Sequence, residues 1–130
     1  MKLILKSILT LAACTGLTTS ALADPVECDQ LQTYWTTLVG AHSAEDAFGY
    51  ALKLDTAQQE YYACLSHGWA QSDPAEWARN CEYDYNDKLY GIGGIEEEYT
   101  DLHEAVLAAT VDYESYLAYL MSQQIYCSIS

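Results

Sequence analysis

The chain has 130 residues, with 19 Asp and Glu against 5 Lys and Arg and a formal net charge of −14 at pH 7. A chain this anionic is repelled by nucleic acid, whose binding needs Lys and Arg to displace counterions, and by anionic lipid headgroups. With 12 Tyr, 3 Trp and abundant Leu and Ala it still has enough apolar surface for a core, which argues against disorder and for one domain at this length.

The N-terminus reads as an export signal. Lys2 and Lys6 form a basic start, Ile8 to Leu17 a short apolar stretch, and Ala21-Leu22-Ala23 a small-residue cleavage site before Asp24. The expected organisation is a cleaved signal peptide over 1–23 and a single acidic helical domain over 24–130. The mature part keeps Lys53, Arg79 and Lys88 against all the acids, 3 basic to 19 acidic, a net of −16. It loses Cys14 and retains Cys28, Cys64, Cys81 and Cys127. An even set of cysteines after a leader implies a disulfide-stapled domain in an oxidising compartment, periplasmic or extracellular. A competing reading takes Leu11-Ala12-Ala13-Cys14 as a lipobox, which would make an envelope lipoprotein anchored at Cys14. Its apolar stretch is short for that purpose. No other segment approaches the ~20 apolar residues of a membrane span.

Turn and cap signals divide the rest into helices, with no convincing strand. Asp24-Pro25 is a helix start. Cys28, Leu31, Tyr34, Trp35, Leu38 and Val39 follow at helical spacing, and Gly40 is expected to stop the run. Ser43 to Asp46 offers a second start with acids in its first turn. It leads into a stretch expected to bury Ala47, Phe48, Ala51 and Leu52, then Tyr61, Cys64 and Leu65. A capping box at Thr56–Gln59 could break that stretch, and Gly68 weakens its end. Asp73-Pro74-Ala75-Glu76 combines an N-cap, a first-turn proline and an acid at N3, and it directs Trp77, Ala78, Cys81, Tyr85 and Leu89 to one side. After Gly91–Gly94 comes a long helix in which Ile95, Tyr99, Leu102, Val106, Ala109, Tyr113, Tyr116 and Leu120 alternate steps of four and three towards Cys127. The expected fold is therefore all-α: a small up-and-down bundle of four to five helices with a long C-terminal helix.

Antiparallel packing sharpens the disulfide expectation. Cys64 lies ten residues before Pro74 and Cys81 seven after it, at similar heights in one hairpin. Cys28 opens the first helix and Cys127 closes the last. The expected bridges are Cys64–Cys81 and Cys28–Cys127, out of three possible connectivities.

Catalytic and metal signatures fail on inspection. Asp84-Tyr85-Asn86-Asp87 begins like a calcium loop but has Leu89 where Gly belongs and Ile95 where Glu belongs. His103-Glu104 opens like a zinc-protease motif, yet Leu107 occupies the place of the second His. The acids Glu96, Glu97, Glu98 and Asp101 head a helix, where they favour its dipole. His42, His67 and His103 sit in unlike settings, and no nucleophile elbow is present. Neither a metal nor another cofactor is expected.

One surface remains. Opposite Trp77, Cys81 and Tyr85, the helix from Pro74 carries Arg79, Tyr83, Asn86, Asp87 and Tyr90. Two tyrosines flanking an acid suit recognition, because Tyr joins contact area to a polar tip. The favoured reading is a small exported acidic binding protein, an inhibitor, immunity or accessory factor for a cationic macromolecular partner, with Tyr83, Asp87 and Tyr90 as its contacts. The alternatives are a secreted hydrolase using paired carboxylates and a structural lipoprotein without enzymatic activity.

Overall fold

The computed structural model describes residues 21–22 and 25–130, so the leader expected over 1–23, with Cys14, lies outside the described residues apart from the backbone of Ala21 and Leu22. The described residues are all-helical in architecture and carry two disulfides. The helices are α1 (Pro25–Phe48), α2 (Tyr50–Ser66), α3 (Pro74–Tyr90) and α4 (Ile95–Ser122), with a 3-10 turn at Gly68–Ala70. A two-residue parallel backbone pairing joins Ala21–Leu22 (β1) to Ile125–Tyr126 (β2), where the sequence carries no convincing strand signal.

Several boundaries differ from expectation. Helix α1 runs through Gly40 and Ser43, because half-buried positions keep recurring at Ala41, Glu45 and Phe48 after the buried Leu38. Tertiary burial here outweighs the ~1 kcal/mol that glycine costs inside a helix. The true stop is Gly49, which adopts the left-handed conformation (φ 66°, ψ 48°) and turns the chain directly into α2. Helix α2 does not break at Thr56. The Thr56 hydroxyl donates to Leu52 O at 2.8 Å and Gln59 donates to Asp55, both compatible with continuous helix. Helix α4 ends at Ser122 and not at Cys127, because Gln124 takes a positive φ of 57° and releases the chain into β2.

Other signals hold. Asp73 caps α3 by accepting from the Glu76 amide at 3.0 Å, with Pro74 in the first turn. On α4 every residue of the four-three stripe is buried or half-buried. In the stretch expected to be buried from Ala47 to Leu52, by contrast, Ala47 at the end of α1 and Ala51 on α2 are exposed, Phe48 is half-buried and Leu52 is 70 % exposed. The buried positions are shifted along the chain to Ala57, with Leu54, Tyr61, Cys64 and Leu65 half-buried.

Of the described residues, those up to Thr36 together with Val111–Ser130 form one compact unit, and Thr37–Thr110 form the other. In the first, Leu31 and Leu120 are almost wholly buried. Tilted aromatic pairs link Trp35 to Tyr113 (5.4 Å) and Tyr34 to Tyr116 (5.3 Å). Cys28 bonds to Cys127 across a Cα separation of 5.5 Å. Gln32 exchanges hydrogen bonds with the Ser130 backbone, donating to its carbonyl and accepting from its amide. The order 35 to 113, 34 to 116 and 28 to 127 makes the two segments antiparallel. Burial, helped by the charge of Glu27, pushes the Tyr116 hydroxyl pKa up.

In the second unit Leu38, Ala57, Cys81, Leu89, Val106 and Ala109 form the core. Helices α2 and α3 make an antiparallel hairpin, seen in the succession Cys64–Cys81, Tyr61–Tyr85 and Glu60–Lys88. Near its tip the Trp77 indole donates to Cys64 O at 2.7 Å, satisfying a helix-end carbonyl. Helix α4 braces the Gly49 bend. Tyr50 stacks on Tyr99 at 4.1 Å and donates to Glu96 at 2.7 Å, while His103 stacks on Tyr99 and places Nδ1 2.9 Å from Glu45.

Candidate functional site

Two neighbouring surfaces of the second unit carry the polar chemistry, and α3 supplies both. Its outward stripe holds the residues expected for recognition. Tyr83 is 72 % exposed, Tyr90 is 69 % exposed, and Asp87 between them is exposed as well. Their spacing of four and three places all three within about 60° of one another around the helix. Exposed Glu76 and Arg79 extend the stripe towards the N-terminus, and exposed Asn86 flanks it. Opposite, Cys81 and Leu89 are buried and Trp77 and Tyr85 half-buried, which is why this stripe faces water. Asp87 also contributes locally, since its carbonyl accepts from Gly91 to end the helix at 2.8 Å.

The next sector of α3 faces α2 and forms a cleft of about 210 Å³. Ala57, Glu60, Tyr61 and Cys64 line it from α2, and Cys81, Asp84, Tyr85 and Lys88 from α3. Tyr61 and Tyr85 stack with centroids 4.9 Å apart and planes 25° apart. The Lys88 ammonium is paired with the Glu60 carboxylate, both half-exposed, and such pairs contribute about 0–1 kcal/mol. Beyond Lys88 the cleft opens towards Lys53, Asp87 and the Ile92–Ile95 turn. Lys53 itself sits over the Phe48 ring at 4.1 Å.

Sequence reasoning did not find this cleft, although a signal existed. Once Cys64 is opposite Cys81, Glu60 one turn back must face the residues one to two turns on, which are Asp84, Tyr85 and Lys88. The calcium-like stretch Asp84–Asp87 lies within α3 and so has no loop geometry. Among the described residues no three His, Cys, Asp or Glu side chains gather to hold a metal ion. His103 is engaged by Glu45 and Tyr99. Of the acidic run, Glu96 holds Tyr50, and Glu97 accepts from the Gly93 amide at 2.8 Å. The Glu96 carboxylate raises the Tyr50 pKa to about 12, with desolvation and the neighbouring Tyr99 and Tyr90 adding to it. No helix among the described residues is long and apolar enough to cross a membrane. Compared with protein-family models, with curated proteins and with solved structures, the chain matches none.

Proposed function

We propose that this chain is a small exported binding protein, an up-and-down helical bundle of four to five helices whose acidic surface receives a cationic macromolecular partner. The observation that carries this reading is the exposed stripe of Tyr83, Asp87 and Tyr90 on α3, in a chain of net charge −14. Complementary charge accelerates encounter, and tyrosine supplies the contact that outlasts it. A partner's Lys or Arg stem lies well against a tyrosine ring while its head group meets the aspartate. The two disulfides support an oxidising destination. In this reading the leader is cleaved before Asp24, so that charge and not a lipid anchor governs association.

The test starts from protein recovered after export, with an intact mass beginning at Asp24 and not at a lipidated Cys14. Its co-purifying partner is identified by mass spectrometry, and the pair is followed by stopped-flow kinetics. Raising salt from about 0.01 to about 0.15 M shortens the Debye length from ~30 to ~8 Å, so association should slow markedly. Tyr83→Ala and Tyr90→Ala should speed dissociation, whereas Asp87→Asn should mainly slow association. Salt-independent kinetics with neither tyrosine mattering would remove the stripe from the interface.

A further inference from the structure

We infer that the turn between α3 and α4 anchors the proposed interface, with Ile92 at its crest bedding into the apolar face of a cationic amphipathic helix on the partner. This rests on the reading of Tyr83, Asp87 and Tyr90 as a contact stripe, and it names the element that the stripe receives. Ile92 is fully exposed and lies just beyond Tyr90, itself 69 % exposed. A β-branched residue is a poor turn former, and this turn closes without help from its side chain. Gly91 donates to Asp87 O and Gly94 to Gly91 O, both at 2.8 Å, and the Gly93 amide donates to the Glu97 carboxylate. Gly93 holds a φ of 70°, and a Cβ on Gly94 would come within 2.7 Å of Leu89 O. The backbone is thus fixed tightly around an isoleucine that contributes no burial to the fold. An anchor held ready in this way loses little freedom on binding.

The surroundings of the crest define its occupant. A hollow of about 350 Å³ is walled by Leu52, Ala57 and Ile95 together with the stems of Lys53 and Lys88. Leu52 is 70 % exposed there. Ile95 and both lysines continue into the adjoining hollow, which Ile92 lines. Lys53 is engaged by the Phe48 ring and Lys88 by Glu60. With both lysines counted, the carboxylates of Glu60, Asp84, Asp87, Glu97 and Glu98 still outnumber them. Arg79 stands at the other end of the stripe, beyond Tyr83. Apolar side chains in a net-negative collar fit apolar side chains flanked by Lys or Arg. An amphipathic helix carries both at spacings of three and four. From Tyr83 to Tyr90 the stripe rises ~10 Å, so a helix of about three turns covers it together with the crest.

The probe is a fluorescein-labelled peptide of Leu and Lys in amphipathic helical order, about four turns long, compared with a scrambled peptide of the same composition. Anisotropy titrations use the disulfide-intact protein at about 0.15 M salt, where long-range attraction is screened. The ordered peptide should bind about tenfold tighter than the scrambled one. Ile92→Ser should weaken that binding about tenfold, as loss of a buried isoleucine does. Val111→Ser, at an apolar position of α4 that is 61 % exposed, should change it less than about twofold. Equal binding of the two peptides would overturn the inference in favour of diffuse charge attraction. No binding of the ordered peptide, or equal effects of Ile92→Ser and Val111→Ser, would overturn it as well. Co-sedimentation with phosphatidylcholine vesicles, abolished by Ile92→Ser, would overturn it by giving the crest to a lipid surface. Weakening by Tyr83→Ala without weakening by Ile92→Ser would refute the anchor and keep the stripe. Weakening by Ile92→Ser alone, with Tyr83→Ala, Asp87→Asn and Tyr90→Ala neutral, would keep the anchor and refute the stripe.

Discussion

Alanine substitution at two glycines nine residues apart should move stability in opposite directions. Gly49 sits at φ 66° and ψ 48° between α1 and α2, where an L-residue suffers its Cβ against the following carbonyl. That conformation costs ~1–2 kcal/mol for alanine, and an added Cβ meets nothing within 4 Å, so the whole penalty is backbone. Gly40 is equally open but lies inside α1. There alanine restricts the unfolded chain and gains helix propensity, stabilising by ~0.5–1 kcal/mol. At ~4–8 °C per kcal/mol for a domain of this size, Gly49→Ala lowers the melting temperature and Gly40→Ala raises it, and the two are separated by roughly 6 to 24 °C. Urea titrations followed by circular dichroism check the sign, with unchanged m-values showing that the folded state is the same. A destabilised Gly40→Ala would mean that the helix stops there after all. A neutral Gly49→Ala would remove the left-handed bend.

The two disulfides differ in the loop they close, with sequence separations of 99 for Cys28–Cys127 and 17 for Cys64–Cys81. Loop-closure entropy then gives ~4.7 against ~3 kcal/mol, so Cys28→Ala with Cys127→Ala should lower the denaturant midpoint more than Cys64→Ala with Cys81→Ala. The opposite order would place the larger contribution in the burial of Cys81. Tyr50 carries a pKa of about 12 folded against about 10 unfolded, because ionisation would break its hydrogen bond to Glu96, with desolvation and the repulsion between the two negative charges adding to the shift. The folded form holds the proton more tightly, so the associated stability is complete below pH ~10 and is lost as pH rises towards 12. Tyr50→Phe should therefore show a shallower alkaline loss of stability than the parent, and parallel pH profiles would contradict the Glu96 contact.

Local chemistry determined what the sequence by itself could reveal. The Asp73-Pro74 start is legible because a cap is made by residues three apart, needing no distant partner. The α4 stripe is legible because burial along a helix repeats with the helix's own period. The Cys64–Cys81 pairing followed from counting residues on either side of one loop, which antiparallel neighbours convert into heights, and the Cys28–Cys127 pairing from the places of those cysteines at the start of the first helix and the end of the last. Tyr83, Asp87 and Tyr90 could be placed on an outward face once Cys81 and Leu89 marked the inward one.

What tertiary structure decided is where packing outweighs small local preferences. Gly40 and Gly49 look alike in sequence, and only the neighbours that half-bury Ala41, Glu45 and Phe48 carry the helix past the first and on to the second. Leu52 was expected inside on hydrophobicity, but a helix shows water whichever side lacks a neighbour, and α3 covers the side of Ala57 instead. The cleft joins Glu60 and Lys88, 28 residues apart, and the clasp at the bend joins Glu45 and His103, 58 apart. Such pairs depend on the register between helices, which loop geometry and core packing set together and which no single stretch of sequence encodes.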